Sequence, residues 1–311
     1  MLKLIKFFSL SNIYKLLHRV LRDIKSGLID IYLPLFLVPA LTLLIVFQLI
    51  PTIWAIWYSF TDIELLGRKL FEYNFIGLEN YSDLGEDPIF WKSMSVTMEY
   101  CIYSLVIRFT IGLAAAFYIT SKMRIAKYIV ALLLLPYTIP GTVIPYIWLS
   151  MLDTRYGTLN RLLSLVGLPP QSWVYRRAME SVIMINCWAG YIMAMLILAS
   201  ALKSIPEEYY EVCEIYGASR LFRFLHITLP LIKYPLILCI ILIFKEDIDD
   251  FTYVYMFTEG GPHYRTELLS LYAYHKAFAY YELGYGCAVG VIVAIIVFLL
   301  TLAQIKLSRI A

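Results

Sequence analysis

Twenty residues from Gly286 to Ile305, GCAVGVIVAIIVFLLTLAQI, carry no charge. A hydrocarbon core takes about 20 apolar residues of α-helix to cross, and inside it the backbone must satisfy its own hydrogen bonds. That stretch therefore reads as a membrane-spanning helix. Apolar windows of comparable length recur at about 31–60, 96–120, 125–152 and 181–202. Composition agrees, since 61% of the 311 residues are hydrophobic, far more than a soluble domain carries. The chain reads as an all-α membrane protein. Pro34, Pro39 and Pro51 in the first span and Pro136, Pro140 and Pro145 in the third are tolerated where neighbouring helices or water satisfy the freed carbonyls.

The sixth window is unusual. In LILCIILIFKEDIDDFTYVYMF, residues 236–257, an apolar run meets Lys245, Glu246, Asp247, Asp249 and Asp250 before apolar and aromatic residues resume. Charge bias decides whether it crosses. Lys3, Lys6, Lys15, Arg19, Arg22 and Lys25 make the head basic, Lys306 and Arg309 the tail, and Lys122, Arg124 and Lys127 the loop after the second span. The loop after the first span is acidic, with Asp62, Glu64, Glu72, Glu79, Asp83, Glu86 and Asp87 against Arg68, Lys69 and Lys92. Positive charge collects on the cytoplasmic side, so both termini and the 121–127 loop belong inside. Arg155, Arg161, Arg176 and Arg177 make the 153–180 loop more basic than an outside loop ordinarily is. Two inside termini need an even number of crossings. The charged window then spans as well, over about 231–257, and there are six transmembrane helices.

Counted from Leu231 at about 1.5 Å per residue, Asp247 lies roughly 24 Å along that helix, in a core about 30 Å thick. Lys245 and Asp249 are four apart, as are Glu246 and Asp250, so each pair can share a helix face. Charges at such depth face a bundle interior or a wet cavity. The alternative is a shifted register that leaves the cluster among the outer headgroups. Arg108, within CIYSLVIRFTIGLAAAF, is a second intramembrane charge, which either pairs with these carboxylates or lines a wet cavity.

Residues 1–30 are basic and read either as an amphipathic helix on the inner membrane face or as a flexible leader. Cys101, Cys187, Cys213, Cys239 and Cys287 are scattered without a CxxC pair and read as free thiols, with no metal site. The net charge of +3 does not point to nucleic acid.

The longest inside loop, 203–230, carries Pro206, Glu207 and Glu208 where a helix would begin. Gly217 is placed to stop that helix, and Arg220 and Arg223 open a second short one closed by Pro230. The result is either a partner-binding knob exposing Tyr209, Tyr210 and Val212 or an amphipathic elbow on the lipid.

The run EVCEIYGASRLFRFLHITLP, 211–230, resembles the signature loop of binding-protein-dependent ABC importer permeases: Glu-Ala-Ala, then Asp-Gly-Ala three residues on, then Ile-x-Leu-Pro. Glu211, Gly217, Ala218, Ile227, Leu229 and Pro230 match, whereas Val212, Cys213 and Tyr216 depart from the pattern. NFIGLENY (74–81), LLPYTIPGTVIPYIWLSMLDTRYGTLNRLL (134–163) and FTEGGPHYRTELLSLYAYHKAFAYYELGYGCAVG (257–290) resemble the carbohydrate-uptake, maltose/glycerol-phosphate-type branch. The likeness covers about residues 31–306.

The resemblance implies a type I ABC importer permease fold over 31–311. Glu211, Val212, Cys213, Tyr216, Gly217, Ala218 and Arg220 would form a cytoplasmic coupling helix seated on an ATPase dimer. ATP and Mg would belong to that partner, with no cofactor in this chain. It further implies a second homologous permease, an extracellular solute-binding protein contacted at Gly260, Gly261 and Pro262, and a plasma-membrane location. The helix after the coupling loop would line the sugar path with Lys245, Glu246, Asp247, Asp249, Asp250 and Tyr253, opposite Arg108. Carboxylates accept hydrogen bonds from hydroxyls, and the cluster sums to −3, or −2 with Arg108. It therefore favours a neutral or cationic glycoside and repels an anion. Tyr103, Tyr191, Tyr253 and Tyr255 are available either to stack on sugar faces or simply to pack.

No GxxxxGK[ST] motif occurs, so ATP hydrolysis is not in this chain. Two other classes use the same carboxylates. One is an intramembrane Mg-dependent transferase built on Asp247 and Asp250, which needs a second aspartate-rich motif that the sequence lacks. The other is a proton-coupled carrier relaying through Glu246 or Asp247, which leaves the signature loop unexplained.

Overall fold

The computed structural model describes residues 32–121 and 126–308, together with His18. The remainder of the expected N-terminal segment, the loop charges Lys122 and Arg124, and Arg309 lie outside the described residues. The chain divides into two compact units, 1–55 and 56–311.

In the first unit α1 (Tyr32–Leu44) leads through a π-helical turn, Ile45–Leu49, into α2 (Ile50–Tyr58), whose last residues, from Ile56, fall in the second unit. The side chains from Leu37 to Trp54 are all exposed, as suits a helix whose solvent is lipid. The π turn has a local cause. Pro51 has no N–H to give, and just before it the Ile50 N–H reaches back five residues to the Ile45 carbonyl.

The second unit continues with α3 (Glu79–Glu86), α4 (Pro88–Thr120), α5 (Ala126–Leu133), α6 (Ile144–Met151) and α7 (Thr158–Leu165). There follow α8 (Ala178–Lys203), α9 (Glu208–Ile215), α10 (Arg220–Arg223), α11 (Leu229–Leu231), α12 (Lys233–Ile248), α13 (Thr252–Thr258), α14 (Leu269–Tyr274) and α15 (Leu283–Ser308). Among the described residues, four helices are long and apolar enough to cross a bilayer: Leu37–Tyr58, Pro88–Thr120, Ala178–Lys203 and Leu283–Lys306. Arg220–Leu231 and Lys233–Ile248 make a fifth candidate if the pair, bent by 71°, counts as one span.

At the centre α4 packs along α8, and α12 lies against both. Gly112 lets α4 and α8 approach: a Cβ there would stand 2.4 Å from Ala194 Cβ and 3.0 Å from the Met195 nitrogen. Asp87 starts α4. Its carboxylate accepts from the Ile89 N–H at 2.7 Å, with Pro88 in the first turn. It also accepts from Tyr272 Oη and, at 3.0 Å, from Tyr285 Oη, tying α4 to α14 and α15. Partial burial pushes this carboxyl up, but those hydrogen bonds and Lys276 hold it below the usual range.

Three expectations need correction. The third span, 125–152, is not one helix. α5 gives way to a 3-10 turn at Leu135–Thr138 and a non-helical stretch before α6, because three prolines within ten residues remove backbone donors and disfavour helix before them. The charged window 231–257 is likewise two helices, α12 and α13, parted at Asp249–Phe251. Among the described residues no ion pair joins Lys245 to Asp249, and Glu246 and Asp250 take other partners. Pro230, finally, does not close the second arm of the 203–230 loop. A π turn at Phe224–Thr228, with the Leu229 N–H on the Phe224 carbonyl, absorbs the proline, and the bend falls at Ile232.

Candidate functional site

Two helices, α4 and α12, bring charge to one point, and a third, α8, supplies polar partners there. Arg108 projects from α4 and is 2% exposed. Its Nη1 donates to Asp247 Oδ1 at 2.6 Å and its Nη2 to Glu246 Oε2 at 2.5 Å, both on α12. Nη2 also donates to the Gly190 carbonyl of α8 at 3.1 Å. Glycine is required there, since a Cβ at Gly190 would lie 2.4 Å from the guanidinium carbon. One turn earlier on α8, Asn186 Nδ2 donates to Asp247 Oδ1 at 2.8 Å. Asp247 is 1% exposed, and a buried ion pair of this kind holds only while its geometry and hydrogen bonds are complete. Asp247 Oδ2 and Arg108 Nε are buried without a hydrogen-bond partner among the described residues.

The break after α12 positions the next acid. Asp250 accepts from Tyr100 Oη of α4 through its side chain, and its Oδ1 takes the Tyr253 N–H at 3.3 Å, at the start of α13. Its carbonyl, freed by the unwinding, accepts from Ser270 Oγ at 2.7 Å. Unwound backbone within a membrane is stable where it lines a cavity or is covered by protein.

These groups line a cavity of about 410 Å³. Arg108, Asn186, Gly190, Glu246, Asp247, Asp250 and Tyr253 form its polar wall; Pro136, Tyr137, Ile139, Gly141 and Ile144, from the interrupted third span, face them. Lys245 and Asp249 are not among the lining residues. Asn186, Gly190 and Tyr100 escaped the sequence reading, although their spacing was a signal. Tyr100, Ser104 and Arg108 stand four apart along one face of α4, as do Asn186 and Gly190 on α8. Tyr103 and Tyr191 line a different, largely apolar cavity of about 740 Å³.

At the other end of α12 the 203–230 loop is a helical hairpin. α9 ends with Gly217 at φ +69°, whose N–H bonds the Glu214 carbonyl at 3.0 Å, while the Ala218 N–H bonds that of Cys213 at 2.9 Å. This double bond pattern needs a left-handed residue, and glycine supplies it without strain. Ser219 Oγ then accepts from the Phe222 N–H at 3.2 Å and starts the second arm. The arms are tied by Tyr210 Oη and Thr228 Oγ1 at 2.9 Å and by Arg223 with Glu214 at 3.1 Å. Glu211, Val212, Tyr216, Gly217 and Arg220 are exposed, and Cys213 and Ala218 half-buried. Gly260, Gly261 and Pro262 form the turn after α13, and all five cysteines are free.

Residues 108–309 match the family described as binding-protein-dependent transport system inner membrane component. The chain is 30% identical over 281 residues to the trehalose/maltose transport system permease protein MalF of Thermococcus litoralis, covering 88% of this chain and 92% of that one. It is 33% identical over 283 residues to the probable ABC transporter permease protein YurN of Bacillus subtilis, covering 88% and 95%. Its fold is similar to that of a bacterial ABC transporter involved in import of the acidic polysaccharide alginate, with a TM-score of 0.79 at 20% identity over 94% of this chain and 98% of that one. With helices built around an intramembrane charge cluster, a capped helical hairpin at the foot of α12 and a family match over 108–309, this chain belongs to the inner-membrane components of binding-protein-dependent transport systems.

Proposed function

We propose that the chain is the membrane subunit of an ATP-driven importer that passes a neutral sugar or oligosaccharide from an extracellular binding protein to the cytoplasm. The observation that carries this reading is the 410 Å³ cavity, where three carboxylates and one guanidinium converge beside a buried acceptor, Asp247 Oδ2, that has no partner among the described residues. Such a wall offers acceptors to hydroxyls, and its formal charge of −2 disfavours an anion. The relative from Thermococcus litoralis, a trehalose/maltose permease protein, supports the carbohydrate class.

Six crossings follow when the interrupted segment 125–152 and the bent segment 231–257 each count as one, with both termini in the cytoplasm of a plasma-membrane protein. The α9 hairpin acts as the coupling helix. Its exposed Glu211, Val212, Tyr216 and Arg220, with Cys213 and Ala218 behind them and Gly217 fixing the turn, seat on a cytoplasmic ATPase dimer that supplies ATP and Mg. A rigid shift of that hairpin pulls directly on α12, and alternating access needs such a lever. A second permease subunit completes the path, and Gly260, Gly261 and Pro262 meet the binding protein. The transferase alternative finds no support among the relatives, which are transport system permease proteins.

The test is a pull-down of the tagged chain from native membranes in mild detergent. Recovery of an ATPase and a second permease of similar size is expected; recovery of the chain alone contradicts the reading.

A further inference from the structure

A further cavity, of about 540 Å³, borders the helices of the charged one, and the reading above uses only its edge at Gly261 and Pro262. Tyr146 and Leu149 of α6 wall it on one side, and Tyr255, Met256 and Glu259 of α13 and its end on the other, with Tyr175 from the 153–180 loop. The same two helices contribute to the charged cavity through Ile144 and Tyr253. Both cavities thus border one helix pair, and the second extends from it to the Gly261–Pro262 turn.

Its chemistry is specific. Three tyrosines line it, each an apolar ring with a polar tip, and Glu259 adds a carboxylate. A pyranose has the complementary make-up, with C–H groups on its faces and hydroxyls at its rim. Tyr146 and Tyr175 are 54% and 69% exposed on this chain, so no other part of it covers their rings. Tyr255 is held in place beforehand. It stacks on Phe251 at 4.9 Å between centroids with planes 17° apart, and meets Tyr274 edge-on at 5.2 Å. A ring already fixed loses little freedom when a ligand stacks on it. Tyr146 Oη, 3.2 Å from Met256 Sδ, links the two walls.

We propose that this aromatic cavity is an outer carbohydrate subsite, taking one unit of a neutral sugar by stacking on Tyr146, Tyr175 and Tyr255 while its hydroxyls bond Glu259. The proposal rests on the sugar-import reading and adds a second station to it.

The test uses the full complex of both permeases and the ATPase in nanodiscs, with saturation-transfer NMR against a panel of neutral glucosyl, galactosyl and arabinosyl trisaccharides. Tyr175→Ala and Tyr255→Ala should each weaken binding of the responding sugar by about threefold to tenfold, the weight of one stacking contact. Tyr255→Phe should keep wild-type binding. If Tyr255→Ala does not assemble, the exposed Tyr175 carries the test alone. Unchanged binding in the alanine variants, with the wild type binding sugar, overturns the outer subsite and leaves the import reading standing. A wild type that binds no sugar in the panel overturns both. Loss of affinity for the solute-binding protein with sugar binding intact makes the cavity a protein-docking site and also overturns the proposal.

Discussion

Two arginine–carboxylate pairs, one at each end of α12, have similar chemistry and opposite surroundings. Arg108 and Asp247 meet at 2.6 Å with side chains 3% and 1% exposed, whereas Arg223 and Glu214 meet at 3.1 Å with side chains 20% and 72% exposed. Water screens the second pair and competes for it, so its geometry is replaceable. Nothing replaces the first. The protein has built three further contacts around it, from Glu246, Gly190 and Asn186, and has given up a side chain at position 190 to make room. An apolar filling of such a space is often as stable as the ion pair, so stability alone does not account for the charges.

The sharpest way to break the contrast is Arg108→Leu, which strands Asp247. It should cost about 3–5 kcal/mol and lower the melting temperature of the purified complex sharply, and adding Asp247→Asn should restore much of the loss. A single variant no less stable than wild type would mean that Asp247 is not left as an uncompensated buried charge. Next comes Gly190→Ala. The added methyl must displace the guanidinium, and overpacking of this kind costs about 1–3 kcal/mol, measured in the same melt.

An intermediate case lies outside the spans. Glu267, 3% exposed in its side chain, meets His275 Nδ1 at 2.7 Å. This hydrogen bond holds the His275 pKa above its ordinary value of 6.5, against partial burial and with help from the Glu259 charge. A raised folded pKa means stabilisation that is complete below 6.5 and lost as pH rises through the raised value. Melting temperature should therefore fall across that window, and Glu267→Gln should flatten the step. The smallest effect belongs to Arg223→Ala, which should change stability by less than about 1 kcal/mol in the same assay.

The sequence made the helices legible where apolar runs were long. Gly286–Ile305 and 181–202 sit inside Leu283–Ser308 and Ala178–Lys203. It also made the first arm and turn of the 203–230 hairpin legible through Gly217, though not Ser219, which starts the second arm. The breaks were harder to read. Nothing near Asp249 announces an unwound turn; the cause lies in Tyr100 and Ser270, which hold Asp250 from 150 and 20 residues away. The same is true of the site. Arg108 stood out as a charge in an apolar run, whereas the four-residue spacing of Asn186 and Gly190 was a weaker signal, whose partner shows only once α4 and α8 approach at Gly112.

The central claim is that the acids beside Arg108 form the path for a neutral sugar. The most direct measurement is ATP-driven uptake of the complex's sugar into proteoliposomes by wild type and by Asp250→Asn, with ATPase activity followed in parallel. The single amide oxygen of the variant side chain can still accept from Tyr100, while the 3.3 Å bond from the Tyr253 N–H is given up together with one charged acceptor. Uptake should fall about tenfold, the weight of a hydrogen bond to a charged group, with the complex still assembled. Uptake equal to wild type, at equal ATPase activity, would contradict the account and move the path away from this cavity.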